Sequence, residues 1–290
     1  MNNPAKCLPP ISQNNTETNI TSLANQLYEG PTHFLLELIQ NANDNKFNND
    51  EPTLDVLYKS GYIHVQCNEA GFSPSNVTAI CNLGKSSKKQ SAATSDVVGE
   101  KGIGFKSVFR VADVVWISSR AYNFKFDATE PLGMITPSLA DFPVSKTPDW
   151  TSIYLQLRKG RDSVTMEQKI QHELEGFDAR LLLFLKKLKK IKVGIDYGVK
   201  GTRTCVYART RTQWNGHEMI NLTKDNVITS FLVYRHKIDD LPTEERRPGA
   251  TSTELVLVFP VDENKEPIIA SQQVFAFLPI HNFGFSVSTQ

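Results

Sequence analysis

The segment Gly99-Glu100-Lys101-Gly102-Ile103-Gly104-Phe105-Lys106-Ser107 constrains this chain more than any other. Three glycines within six residues make a regular helix or strand unfavourable there, while residues 105–112 suit a helix. The chain must therefore turn tightly and feed straight into a helix. Backbone N–H groups in such a turn converge on an anion, and the helix N-terminus adds a favourable dipole. The segment is not a P-loop, because Phe105 separates Gly104 from Lys106-Ser107. It is not a dinucleotide fingerprint either, because Ser107 stands where the third glycine of that motif is needed. Taken alone, the turn is explained equally well as a plain helix entry.

Two further elements precede it. Residues 33–45 place Leu35, Leu38, Ile39 and Ala42 at the spacing of one buried helix face. Glu37, Asn41 and Asp44 fall together on the opposite face. A Glu and an Asn one turn apart can point into one cavity, the Asn carbonyl as an oxygen ligand for Mg²⁺ and the Glu as a base for a water. Residues 61–67 alternate as a strand, and Asn68-Glu69-Ala70-Gly71-Phe72 turns out of it. Gly71 there permits close backbone approach to a ligand. Residues 75–83 suit a short helix, and 85–96 have the small, polar composition of a mobile loop.

Beyond the glycine segment, residues 113–119, 122–126 and 152–158 read as strands and 164–190 as one or two helices. The run Lys186–Lys190 reads as a solvated helix terminus. From about residue 200 the character changes to strands, with candidates at 204–209, 228–235, 253–260 and 274–279. The expected organisation is a flexible lead-in (1–19), a first domain (20–200) and a second, β-rich domain (201–290) whose pattern stops without a closing helix or polar tail. The balance of 32 Lys plus Arg against 31 Asp plus Glu argues against a broad nucleic-acid surface. The four cysteines are dispersed, with no metal or disulfide spacing, and no apolar run reaches membrane-spanning length. The polar N-terminus has no signal-type apolar core, so the expectation is a soluble intracellular protein, cytoplasmic or nuclear.

In this order the three elements resemble the Bergerat ATP-binding motifs of the GHKL superfamily, to which gyrase B, heat shock protein 90, histidine kinases and MutL belong. ELIQNANDN (37–45) is similar to the N-box, NEAGF (68–72) to the first glycine box, NLGKSSKK (82–89) to the start of the ATP lid, and VGEKGIGFKSVF (98–109) to the second glycine box. Within the superfamily the motifs most resemble the sacsin and plant NO VEIN group.

The resemblance implies an α+β, two-layer α/β sandwich followed by a smaller β-rich α+β domain. It implies ATP and Mg²⁺ as ligands, with slow hydrolysis driving closure of a lid (84–98) and domain rearrangement. The alternative is a nucleotide-gated scaffold module without turnover. It assigns Glu37 as general base, Asn41 to Mg²⁺, and Asp44 to the nucleotide side of the helix. Gly71 and Phe72 would line the adenine pocket, Gly84 and Lys85 would open the lid, and Thr151 would hold the adenine end. Gly99, Gly102, Ile103, Gly104 and Phe105 would form the phosphate cradle, with Lys101 and Lys106 as phosphate contacts. Alignment on Gly71 puts Cys67 where the superfamily carries the adenine-binding Asp; Asn68 and Glu69 are the substitutes at hand. A basic residue from the second domain is expected near position 281, where this chain has His281. Client proteins or a second copy are the implied partners, with neither membrane nor nucleic acid.

Overall fold

Short strands joined by tight turns make up most of the regular structure among the described residues. The computed structural model describes residues 33–81, 104–239, 251–268, 271–276 and 278–286. Two units are distinguished: Met1–Asp178 with Leu185–Val206, and Ala179–Phe184 with Tyr207–Gln290.

In the first unit, helix α1 (His33–Asp44) buries Phe34, Leu35, Leu38, Ile39 and Ala42. Strands β1 (Thr53–Lys59) and β2 (Tyr62–Cys67) form a hairpin closed at Ser60-Gly61, where Gly61 has φ of +86°. Helix α2 (Pro74–Cys81) follows. After a 3₁₀ helix (Gly104–Arg110) come β3 (Ala112–Ser119) and β4 (Tyr122–Asp127), then the short β5 (Ser138–Leu139) and β6 (Thr151–Leu157). Helix α3 (Ser163–Glu175) leads on towards β7 (Lys190–Asp196). Ile63, Val65, Val115, Ile117, Leu155 and Ile191 fill the core.

The second unit contains the four-residue α4 (Leu181–Phe184) and strands joined by turns of specific chemistry. Strand β8 (Thr202–Trp214) pairs with β9 (His217–Lys224) through Asn215-Gly216, both at positive φ (48° and 80°). Strand β9 pairs with β10 (Val227–Asp239) through Asp225-Asn226, again both positive (44° and 77°). Those are the dihedrals a two-residue hairpin turn needs to match strand twist. Strand β11 (Ser252–Val261) pairs with β10, and β12 (Ser271–Ala276) with β13 (Leu278–Ser286) in a separate sheet.

The expected two-layer α/β sandwich is not what forms. The described residues make one mixed sheet of eleven strands, in the order β11-β10-β9-β8-β7-β1-β2-β6-β3-β4-β5, with few helices. The difference has a local cause. Residues 53–59, 190–196 and 217–224, none read as strands from the sequence, all enter the sheet. Of the one or two helices expected over 164–190, one spans Ser163–Glu175 and a second only Leu181–Phe184, and residues 105–112 yield a 3₁₀ helix instead of an α-helix. Strand β1 is parallel to β7, whereas β2, β6, β3, β4 and β5 run antiparallel to their neighbours. Among the described residues no helix is long and apolar enough to cross a membrane.

Candidate functional site

Helix α1 is held at its C-terminal end from far along the chain. The Asn43 side-chain carbonyl accepts from the backbone N–H groups of Lys187 (2.9 Å) and Leu188 (3.3 Å). The Lys187 ammonium donates to the carbonyls of Asp44 (3.0 Å) and Asn45 (2.8 Å). A cation on the last carbonyls of a helix satisfies acceptors that have no intrahelical partner and complements the dipole. Lys190 pairs with Glu51 at 2.7 Å, and the Lys189 ammonium donates to the Asp50 carbonyl at 2.6 Å. The basic run is thus a clamp on α1 and the loop after it, not a solvated helix terminus.

With α1 fixed, Glu37 faces the glycine segment. A Cβ built on Gly104 would lie 2.0 Å from Glu37 Oε2, so the carboxylate packs directly on the glycine backbone. No residue with a side chain fits at 104 while Glu37 stays in place. The Glu37 side chain is only 15% exposed. His33 Nδ1 lies 4.0 Å from its other oxygen, Oε1. Burial, reinforced by the positive field of Arg110, holds the His33 imidazole below the ordinary histidine range. The Ser107 hydroxyl donates to the Gly104 carbonyl at 2.6 Å and closes the 3₁₀ turn. Asn41 is half-buried, and Asp44 is buried at the end of the same helix.

The turn after β2 is built differently. The Asn68 amide accepts from Thr53 N–H (2.7 Å) and donates to the Glu51 carbonyl (2.9 Å) and to Asn49 Oδ1 (3.2 Å). Asn68 therefore ties the loop after α1 to the end of β2, and its amide is occupied by the chain itself. Glu69 is buried beside Cys67; burial first, and then the Glu69 carboxylate, push the Cys67 thiol up. Phe72 N–H donates to Ser119 Oγ at 2.8 Å, and Ser119 Oγ bonds Thr151 Oγ1 at 2.6 Å in the interior. Thr151 is also the cross-strand partner of Cys67. So Cys67, Glu69, Phe72 and Thr151 do come together at this end.

Two expected roles are corrected by placement. Gly71 has φ of +82°, but the space its missing side chain leaves is filled by Arg120, whose Cγ would be 2.6 Å from an added Cβ. The Arg120 Nε donates to the Ala70 carbonyl at 2.6 Å. The close approach at Gly71 is to the Arg120 side chain. Lys106 is not a surface phosphate contact: it is 2% exposed, donates to the Met134 carbonyl at 2.5 Å, and lies 4.1 Å from the Phe126 ring centroid. The rings of Phe105 and Phe109 complete its surroundings, at 5.8 and 5.7 Å. Desolvation pulls its ammonium down to about 7. Gly84, Lys85, Gly99, Lys101, Gly102 and Ile103 lie outside the described residues, as does the side chain of His281. Arg110, Ser119, Arg120, Asn43 and Lys187 are the contributors that sequence reasoning missed. None of them carries a motif signal of its own.

Residues 16–133 match the Sacsin domain family model. Protein NO VEIN of Arabidopsis thaliana is 32% identical over 291 residues, covering 92% of this chain and 10% of that protein. Chaperone protein HtpG of Burkholderia lata is 24% identical over 189 residues, covering 56% of this chain and 30% of HtpG. HtpG of Albidiferax ferrireducens is 29% identical over 164 residues, covering 47% and 24%. The chain thus spans a tenth of the length of NO VEIN and less than a third of either HtpG. The two HtpG similarities support a distant GHKL-like relationship.

Proposed function

We propose that this chain binds ATP with Mg²⁺ between α1, the glycine segment and the turn after β2, and that it hydrolyses the nucleotide slowly. The observation that carries the reading is the contact of Glu37 with Gly104. A carboxylate set against a glycine of the expected phosphate cradle is where a base must stand to activate a water towards a terminal phosphate. The Sacsin domain match and the HtpG similarity lend support.

Asn41, one turn after Glu37 on the same face, would hold Mg²⁺ through its side-chain carbonyl. The metal, when bound, supplies charge neutralisation for the phosphates. Glu37 takes the proton of the attacking water. The glycine at 104 leaves room for the Glu37 carboxylate, which a side chain there would displace. At the adenine end we assign the acceptor role to Glu69, because the Asn68 amide is already occupied. Phe72 and Thr151 would line the same end. Lid closure over residues 84–98, client proteins or a second copy as partners, and residence in cytoplasm or nucleus belong to the same proposal.

The test is binding of a fluorescent ATP analogue with and without Mg²⁺, on wild type and Asn41→Ala, followed by turnover of wild type and Glu37→Ala. Mg²⁺-dependent binding weakened by Asn41→Ala, with hydrolysis lost in Glu37→Ala, is the expected result. No binding by the folded chain would sink the reading. A second reading, a nucleotide-gated module without turnover, is favoured by one observation: buried Cys67 stands where the superfamily's adenine-binding carboxylate is expected. Binding without hydrolysis in wild type would select it.

A further inference from the structure

We propose that one face of strands β2, β6 and β3 is a docking site for an extended peptide of another protein, and that residues 140–150 of this chain are its resident competitor. The peptide carries an aromatic–proline pair followed three residues later by a lysine or arginine. On this face the cross-strand partners Gln66, Ser152 and Ser118 form one polar row, and His64, Tyr154 and Trp116 form the next. The core residues Ile63, Leu155 and Ile117 point the other way. Tyr62 stacks on Tyr154 at 4.9 Å, and Trp116 meets it edge-on at 5.5 Å. Residues 140–150 run across both rows as a strap. The Phe142 ring lies 5.5 Å from His64 and 6.5 Å from Tyr154. The Lys146 ammonium donates to Ser118 Oγ, and the Thr147 N–H donates to Gln66 Oε1 at 2.8 Å. Pro143 and Pro148 disfavour helix at the residues before them, Phe142 and Thr147. Among the described residues, no backbone hydrogen bond joins 140–149 to the sheet. Apart from Phe142 and Val144, residues 141–149 are exposed. The strap re-enters β6 through Asp149 at a φ of +63°, a left-handed conformation that costs a residue with a side chain.

The strap satisfies the face only at its margins. Gln66 and Ser118, at the two ends of the polar row, are bonded to it. Ser152, between them, is 0% exposed and its hydroxyl has no partner; His64 is 6% exposed and its Nε2 has none. A buried polar atom without a partner is destabilising, so the face holds recognition groups that its own cover leaves unused. An extended backbone presents N–H and C=O groups in alternation. A hydroxyl donates or accepts, and a neutral imidazole nitrogen does either according to tautomer. Burial keeps the His64 ring neutral, pulling it down to about 4. The flanking cations are already matched, Lys125 by Asp127 at 3.1 Å and Lys192 by Asp55 at 3.3 Å, which favours a peptide over a polyanion. The aromatic–proline pair takes the place of Phe142-Pro143, and the basic residue that of Lys146.

The probe is a fluorescein-labelled peptide with the sequence of residues 140–150, read by anisotropy against wild type and against Phe142→Ala/Lys146→Ala, which removes two side-chain holds of the strap. The released variant should bind the peptide about tenfold more tightly than wild type, because a tethered strap competes at high effective concentration. The same peptide with both substitutions should bind the released variant about tenfold more weakly, and adding Ser152→Ala to that variant should cost about fivefold. In wild type, saturating peptide should move the Thr147 amide and His64 ring resonances in ¹H–¹⁵N spectra as the strap leaves Gln66. Equal affinity of wild type and released variant overturns the proposal, as does unchanged affinity with Ser152→Ala. Peptide binding that leaves Thr147 and His64 unmoved overturns it too. If the released variant does not fold, the wild-type spectra decide: movement of both resonances supports displacement, and their constancy overturns it. A folded, released variant that binds no peptide leaves Ser152 and His64 to bound water and overturns the proposal.

Discussion

The two ends of the candidate site are built on opposite plans. At the α1 end, a functional-looking side chain meets bare backbone, with Glu37 against Gly104 and no spare volume between them. At the β2 end, the polar side chain best placed by sequence, Asn68, is absorbed into holding two loops together. Likewise the open space at Gly71 is taken by Arg120. The lesson is that a motif residue can itself be taken up in structural bonding, as Asn68 is, when other groups do not supply it. Around α1 that work is done by Asn43, Lys187 and Ser107.

The sharpest way to break the contrast is Gly104→Ala. The new methyl must displace the Glu37 carboxylate, so turnover should fall about a hundredfold or more, as for Glu37→Ala, measured by phosphate release. Wild-type turnover in Gly104→Ala would mean that the contact has no functional weight. Next, Asn68→Ala should lower stability by about 2 to 3 kcal/mol in urea titration, because Thr53 N–H loses its acceptor and Glu51 its donor. It should leave the ATP-over-GTP preference unchanged, whereas Glu69→Gln should erode it. The reverse pattern would return the adenine role to Asn68.

Lys106 sharpens the α1 side through pH. Its ammonium is held at about 7 in the folded chain, against 10.5 for the ordinary value. The unfolded chain therefore binds more protons between those values, and folding stability should rise with pH across the window by about 1.4 kcal/mol per unit. Below pH 7 the cost of burying the charge is fully present. Lys106→Met should remove this rise, seen as parallel urea midpoints at pH 7 and pH 9. The smallest effect is expected for Lys187→Met, about 1 kcal/mol, from loss of the cation on the last carbonyls of α1.

Much of this was legible in the sequence where period and spacing speak directly. The apolar stripe of α1 sits where expected, and so does the strand at 62–67. Three of the strands not read from the sequence were missed for separate reasons. Strand β7 begins on the last lysine of a basic run that reads as a helix end, and a short apolar run does not by itself separate strand from helix. Strand β9 follows Asn215-Gly216, a hairpin-turn signal that marks where it begins but not where it ends. Strand β1 alternates only weakly and is recognised by its partners β2 and β7. The choice between Asn68 and Glu69, and the inward turn of Lys106, depend on neighbours distant in sequence and leave no local trace.

The clamp on α1 also bears on the order of assembly. Asn43 and Lys187 are separated by 144 positions, so the helix carrying Glu37 cannot be capped until residue 187 has left the ribosome. Contacts of such long sequence separation form late and slow the search for the native state. A nascent chain halted before residue 187 would carry Glu37 and Asn41 on a helix whose end is unfastened.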